Sequence, residues 1–218
     1  MPSKTTIHTI YKTLDGKRVP SVTTYLGVLS KPAIIQWAWE CGVAGLDYRK
    51  VRDQAGDTGT LVHCLIMCQL KKIEPDLTDY SPNEIATTYS SMSKFNQWVN
   101  NKAIEPILLE EPLVSEKFLF GGTPDFYGRI DDQLTVLDFK TGKEIYQDNF
   151  CQLAAYKKLL EEHGYEVLSA RIIRVGKSAS EGFEERAAGN LDKHWELFLA
   201  CQRIYELQKT IKNTKEEK

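Results

Sequence analysis

The sequence predicts an α/β fold in which the N-terminal half is helical and the C-terminal half combines strands with helices. Apolar residues recur at helical spacing through most of residues 1–105, and the hydrophobic period changes to two from Ile107. A long helical pattern at residues 147–163 then separates two strand patterns. With 218 residues, of which 42% are hydrophobic, we expect one domain: a helical cover (1–105) and an α/β core (106–218).

The N-terminal half is predicted as short strands followed by helices. An Asp15-Gly16 turn joins strands at 7–14 and 17–19, because Asp-Gly tolerates the positive φ of tight turns. Ser21 caps a short helix at 22–29. Ser81, Pro82 and Glu84 match a capping box that opens a helix ending near Ala103. The remaining predicted elements are helices at 33–51 and 60–72 and a loop at Asp53 to Gly59.

The C-terminal half is predicted as strands around one long helix. The helix at 147–163 is closed by Gly164, and turns are expected at Gly121-Gly122 and Asp131-Asp132. A last helix runs from Leu191 to about Ile211, before a frayed tail at 212–218. The predicted strands are Ile107 to Phe120, Asp125 to Ile130, Leu134 to Lys140 and Val167 to Val175.

Composition narrows the class of protein. Five cysteines, an odd number, favour a reducing compartment over a disulfide framework. Cys64 and Cys68 are the only close pair, so neither zinc nor an iron–sulfur cluster is expected. No apolar run approaches the length of a membrane span and no signal peptide is evident, which predicts a cytoplasmic protein without a membrane partner.

A group of charged residues is predicted at the end of one strand. Asp138 and Lys140 project on the same face of that strand, while Phe139 packs on the other. An ordinary strand-end ion pair is the alternative. Asp125 begins the preceding strand and converges on Asp138 if the two strands pair, although it is also a candidate turn cap. Two carboxylates at close range repel unless a cation lies between them, and oxygen ligands suit Mg²⁺ or Mn²⁺.

Gln152 and Tyr156 lie four residues apart on the following helix, so they share a face and can reach the same cleft. The pair alone equally fits an ordinary amphipathic helix. The candidate phosphate contacts are Lys and Arg side chains near these elements, each of which can also be a solvated surface charge: Arg49, Lys50, Arg52, Lys157, Lys158, Arg171, Arg174 and Lys177.

Together these segments resemble the PD-(D/E)XK nucleases of the RecB type, which implies a restriction-endonuclease-like core, that is, a central mixed sheet flanked by helices. The matching motifs are Gly122-Thr123-x-Asp125, Asp138-x-Lys140 and Gln152-x-x-x-Tyr156. Upstream, Gly59-Thr60-x-x-His63 looks like the histidine motif of that group. Residues 19–23 resemble a segment of the mitochondrial genome maintenance exonuclease and related phage exonucleases.

The resemblance implies a role for each matching residue. His63, Asp125, Asp138 and the backbone carbonyl of Phe139 would hold Mg²⁺ or Mn²⁺. Lys140 would position or activate the attacking water, and the sequence leaves both roles open. Gln152 and Tyr156 would complete the catalytic group, with Glu111 as an auxiliary acid and Glu110 and Glu116 near enough to compete. For His63 the alternative is a core histidine.

The resemblance also implies a DNA exonuclease of repair, recombination or phage replication, in a bacterial or phage-infected cell. Single-stranded ends are the favoured substrate, with a recombination or replication protein as a further expected partner. Two alternatives remain: an exonuclease acting on double-stranded ends in a phage recombination system, and a catalytically silent DNA-binding protein of the same fold.

Overall fold

A five-stranded mixed sheet forms the centre of the molecule, in a computed structural model that describes residues 9–216. Along the described part of the chain, the strands are β1 (Tyr11–Lys12), β2 (Arg18–Val19), β3 (Ile104–Leu109), β4 (Leu113–Ser115), β5 (Phe120–Gly122), β6 (Phe126–Ile130), β7 (Gln133–Lys140), β8 (Ser169–Val175) and β9 (Phe183–Ala187). β1 pairs with β2 and β4 with β5, outside the central sheet. The central sheet has the order β3-β6-β7-β8-β9. β7 and β8 are parallel, and the other neighbours are antiparallel. The predicted α/β class with a mixed sheet is confirmed.

Helices cover both faces of this sheet. They are α1 (Val22–Leu26), α2 (Pro32–Val43), α3 (Tyr48–Lys71), α4 (Pro82–Asn100), α5 (Gln147–Glu162) and α6 (Asp192–Glu216). Val136 of β7 packs in one apolar cluster with Leu153 of α5, and residues of α1 and α6 share that cluster. Leu137 packs in a second cluster with Ile66 of α3 and with residues of α4. Because adjacent strand residues face opposite ways, the two clusters lie on the two faces of the sheet.

The central strand and its following helix are defined by burial and by local signals. Residues 135–139 of β7 are all buried, as expected for a strand covered on both faces. α5 begins where the Asn149 side chain accepts the N–H of Tyr146 at 2.9 Å, and it is followed by Gly164 at φ 83°. The predicted helix at 147–163 is confirmed, as is the capping box of Ser81 and Glu84 on α4.

Two predictions about the helical half are wrong. The predicted helix at 33–51 is interrupted after Val43, where Gly45 adopts φ 71° and Asp47 caps a new helix. The predicted loop from Asp53 to Gly59 lies inside that new helix, α3. The favourable cap at Asp47 and the apolar C-terminal half of α3 outweigh the helix-weakening glycines within it.

The predicted strand from Ile107 to Phe120 is also wrong, because the chain forms three short strands there. The predicted turn at Gly121-Gly122 is wrong as well, since both glycines lie in β5. A β-carbon at Gly121 would overlap the ring of Tyr11, and one at Gly122 would lie 2.8 Å from Tyr156 Cε1. These glycines therefore allow close packing rather than a bend.

The ends of the chain differ in detail from the prediction. β9 was not predicted, because the residues at 183–187 are mostly charged and form an edge strand. α6 extends to Glu216, so the predicted frayed tail is wrong as far as that residue, and 217–218 lie outside the described residues. The first predicted strand, 7–14, is reduced to β1, and its residues 7 and 8 also lie outside the described part.

α2 presents apolar side chains to the surface. Cys41 is its buried residue, while Ile35 is 68% exposed and Trp39 is 63% exposed. Ile34 is likewise exposed, whereas Trp37 is partly buried and its ring packs edge-on against that of Tyr48. Across residues 9–216, no helix has both the length and the apolar character needed to cross a membrane.

Candidate active site

Asp138 and Lys140 lie side by side at the end of β7. Lys140 Nζ is 2.5 Å from Asp138 Oδ2, so the predicted common face is confirmed. Asp138 is only 1% exposed. Its Oδ2 is buried without a hydrogen bond of ordinary geometry, although the ammonium is in ion-pair contact with it. One lone pair of a buried carboxylate is thus poorly satisfied, which is unusual in a folded core.

Asp125 meets Asp138 across neighbouring strands. β6 and β7 pair antiparallel with Phe126 opposite Leu137, and one step further along this register Asp125 lies opposite Asp138. The N–H of Phe139 donates to Asp125 Oδ2 at 2.7 Å. The pairing of these two strands, on which the predicted convergence of the aspartates depends, is confirmed.

Gln152 and Tyr156 of α5 extend the group from Lys140. Lys140 Nζ donates to Gln152 Oε1 at 3.0 Å, and Gln152 Nε2 donates to Tyr156 Oη at 2.8 Å. Gln152 is 9% exposed and Tyr156 is 5% exposed. The predicted shared face on α5 is confirmed, and Gln152 gives the Lys140 ammonium an acceptor in addition to Asp138.

His63 of α3 approaches the same strand ends from the other layer of helices. Its Nε2 lies 3.2 Å from Asp125 Oδ1, and its Nδ1 lies 3.7 Å from Glu110 Oε1. Glu110 also pairs with Lys71 at 2.6 Å. The structure thus brings Glu110, rather than the predicted auxiliary Glu111, to the site, and Glu111 is exposed.

The charges in this cluster act strongly on one another. Burial raises the pKa of Asp138 to about 6, with Lys140 opposing the rise and Asp125 adding to it. Burial also acts to raise the pKa of Asp125, but His63, Lys140 and the Phe139 N–H reverse this and hold it below its usual value. Burial would lower the pKa of His63, yet the charge of Asp125 and its contact raise it to about 9.

The donor set fits a divalent cation. Asp125 and Asp138 are close enough for one carboxylate to raise the pKa of the other, and one of them has a buried and poorly satisfied oxygen. A cation between two such carboxylates stabilises them. Carboxylate oxygens with one imidazole suit Mg²⁺ and especially Mn²⁺. Within residues 9–216, no three His, Cys, Asp or Glu side chains are already gathered as a metal cluster. Lys140 and His63 instead neutralise the carboxylates, so a cation would have to replace part of these contacts.

Comparison with known proteins gives weak structural similarities. No protein-family model matches the chain, and a search of curated proteins found no significant match. The chain is similar to LHK-Exo in complex with dAMP, with 11% identity, a TM-score of 0.37, and coverage of 72% of this chain and 83% of that chain. A second LHK-Exo structure, an alkaline exonuclease from Laribacter hongkongensis, gives 12% identity, a TM-score of 0.34, and coverage of 72% and 82%. The structure of SSO0001 is 11% identical, with a TM-score of 0.34 and coverage of 84% of this chain and 82% of that chain. At these TM-scores the similarity does not establish a shared family.

Proposed function

We propose that this chain is an exonuclease of the PD-(D/E)XK type that hydrolyses DNA with Mg²⁺ or Mn²⁺. The observation that supports it best is the buried Asp138 between Asp125 and Lys140 at the end of β7. The alternative, an ordinary ion pair at a strand end, would be exposed to solvent and would not require a second carboxylate on the neighbouring strand. A buried carboxylate beside two partly buried ionisable groups is costly for folding and is typical of catalytic sites.

Each residue has a distinct role in this proposal. Asp125, Asp138, His63 and the carbonyl of Phe139 would hold the cation, which when bound neutralises phosphate charge and makes hydroxide available near neutral pH. Lys140 places a positive charge beside the scissile phosphate. The hydrogen bond to Gln152 orients its ammonium, and Tyr156 in turn orients Gln152.

The preference for single-stranded ends is part of the proposal. It is supported by the surface of α2 and the start of α3, where Trp39 and Ile35 are exposed and Arg49 lies 5.8 Å from the centre of the Tyr48 ring. Exposed aromatic side chains beside basic ones can stack unpaired bases and contact phosphates. Digestion of labelled single-stranded, blunt double-stranded and circular DNA tests this, and faster loss of blunt duplex than of single strands would contradict it.

The proposed activity is tested by DNA degradation with Mg²⁺ or Mn²⁺, comparing the unaltered protein with Asp138→Ala and Lys140→Ala. We expect the unaltered protein to release nucleotides and both variants to lose cleavage by a factor of at least about 100. Lys140→Ala should still bind DNA in a mobility assay. Absence of cleavage by the unaltered protein across single strands, duplex ends and both metals would favour the silent DNA-binding alternative.

A further inference from the structure

The loop between β8 and β9 holds a lysine in a defined position near the candidate active site. The N–H of Gly176 donates to the carbonyl of Gly182 at 2.9 Å, which closes the loop. The N–H of Lys177 donates to Glu181 Oε2 at 2.8 Å, and Arg174 donates to the Glu181 carbonyl at 3.0 Å. The backbone of Lys177 is therefore fixed from both sides.

The side chains of Lys177 and Thr141 both lie beside Gly59. A β-carbon at Gly59 of α3 would lie 3.6 Å from Lys177 Cε and 2.6 Å from Thr141 Oγ1. Gly59 lies one helical turn before His63, and Thr141 directly follows Lys140. The missing side chain at Gly59 thus leaves room for a lysine and a hydroxyl beside the metal-binding candidates.

The topology places Thr141 and Lys177 just beyond the C-terminal ends of β7 and β8, where the candidate active site lies. β7 and β8 are parallel, with Lys140 opposite Arg174. Thr141 and Lys177 follow these two strands within three residues of that pair, so both leave the sheet where Asp138 and Lys140 lie. A strand of DNA bound over Lys140 would pass over or beside them.

Lys177 differs in its pairing from three of the other predicted basic contacts. Arg171, Arg174 and Lys158 form ion pairs with glutamates at 2.7, 3.4 and 2.8 Å. Within residues 9–216, no ion pair is formed by the Lys177 ammonium and no hydrogen bond by the Thr141 hydroxyl. Burial lowers the pKa of Lys177, and Glu181 opposes this. Glu181 thus acts on the ammonium without forming an ion pair with it, and a partly buried ammonium that lacks such a pair favours an anion.

We infer that Lys177 and Thr141 form a phosphate subsite, which binds a DNA backbone phosphate next to the one that is cut. The inference rests on the proposed function and assigns a second phosphate contact to it. Lysine and threonine side chains are common phosphate ligands, the first through its charge and the second through its O–H. The two residues act as positioning residues: they hold the strand so that the scissile phosphate faces Lys140.

The test uses single-stranded oligonucleotides in which one phosphate is replaced by a neutral methylphosphonate, placed in turn on each side of the scissile position. At one placement, the unaltered protein should show a KM increased about tenfold, the value expected for one charge-assisted contact. Lys177→Ala should raise the KM of the unmodified oligonucleotide to a similar extent, with kcat within about twofold. The methylphosphonate should then add little to the KM of that variant.

Further variants separate the effect of the Lys177 charge on KM from any effect of the substitution on the protein structure. Lys193→Ala removes a lysine whose side chain is 85% exposed on α6, and its KM should equal that of the unaltered protein. Lys177→Arg should restore most of the lost affinity, and Thr141→Val should raise KM without changing the thermal midpoint. The inference is overturned if Lys177→Ala matches Lys193→Ala in KM, or if the methylphosphonate raises the KM of both proteins equally.

Failure of the inference is distinguishable from failure of the proposed function. If Asp138→Ala abolishes cleavage while Lys177→Ala leaves KM unchanged, the nuclease proposal stands and the phosphate subsite falls. If the unaltered protein cuts no DNA, fluorescence anisotropy with the same oligonucleotides still tests the subsite. Lys177→Ala must then weaken binding of the unmodified strand and remove its preference over the methylphosphonate strand, and equal binding by the two proteins would refute it.

Discussion

Replacing Gln152 by leucine isolates the contact that orients Lys140. Leucine has similar size and suits a helix, so the packing of α5 should change little. The substitution removes the acceptor that lies 3.0 Å from Lys140 Nζ and the donor that lies 2.8 Å from Tyr156 Oη. A hydrogen bond to a charged group contributes about 1.5–3 kcal/mol. Lys140 keeps its ion pair with Asp138, so we expect a loss near the lower end of that range.

This energy corresponds to a decrease in kcat of roughly 10- to 30-fold if the contact matters only in the transition state. The assay is single-turnover cleavage of a labelled oligonucleotide at saturating protein. Tyr156→Phe removes only the neutral hydrogen bond and should cost about 2- to 10-fold. Gln69→Leu, at an exposed position on α3, is the control and should leave kcat unchanged. A kcat for Gln152→Leu equal to that of the control would refute this role.

Single substitutions at Gly121, Ser81 and Glu110 test contacts elsewhere in the structure. Gly121→Ala should lower the free energy of unfolding by about 1–3 kcal/mol in urea, because its methyl group displaces the Tyr11 ring; an unchanged midpoint would contradict this. Ser81→Ala should cost about 1 kcal/mol by the same measurement, since it removes the cap of α4, and a loss below about 0.3 kcal/mol would argue against the capping box. Glu110→Gln should reduce cleavage roughly two- to fivefold, because it removes a carboxylate beside His63, whereas Glu111→Gln should have no effect. If Glu111→Gln reduced cleavage and Glu110→Gln did not, Glu111 would be the auxiliary acid.

Local sequence signals correctly predicted the parts of the structure that depend on contacts between residues close in sequence. The Ser81 capping box, the Asp131-Asp132 turn and the helix closed by Gly164 are all present, with φ of 48° and 67° at the two aspartates. Each depends on residues a few positions apart. The alternation along β7 likewise predicted that Asp138 and Lys140 share a face.

Contacts between distant segments explain what the sequence did not predict. Gly121 is required by the ring of Tyr11, far away in sequence, and Gly59 by the close approach of Thr141. Nothing near either glycine distinguishes these roles from a turn or a loop. The pairing of β3 with β6 is irregular between Pro106 and Leu108, and Glu110 adopts φ 54°. Strict alternation fails there, which is why Glu110 rather than Glu111 faces His63.

In the proposed active site, Asp125 and Asp138 share one divalent cation beside Lys140. Crystals of the protein soaked in Mn²⁺, with diffraction measured at the manganese absorption edge, test it most directly. We expect one anomalous peak within about 2.5 Å of an oxygen of each aspartate, and its absence in crystals of Asp138→Ala. An anomalous peak elsewhere, or the absence of manganese between the two carboxylates, would contradict the proposed metal site.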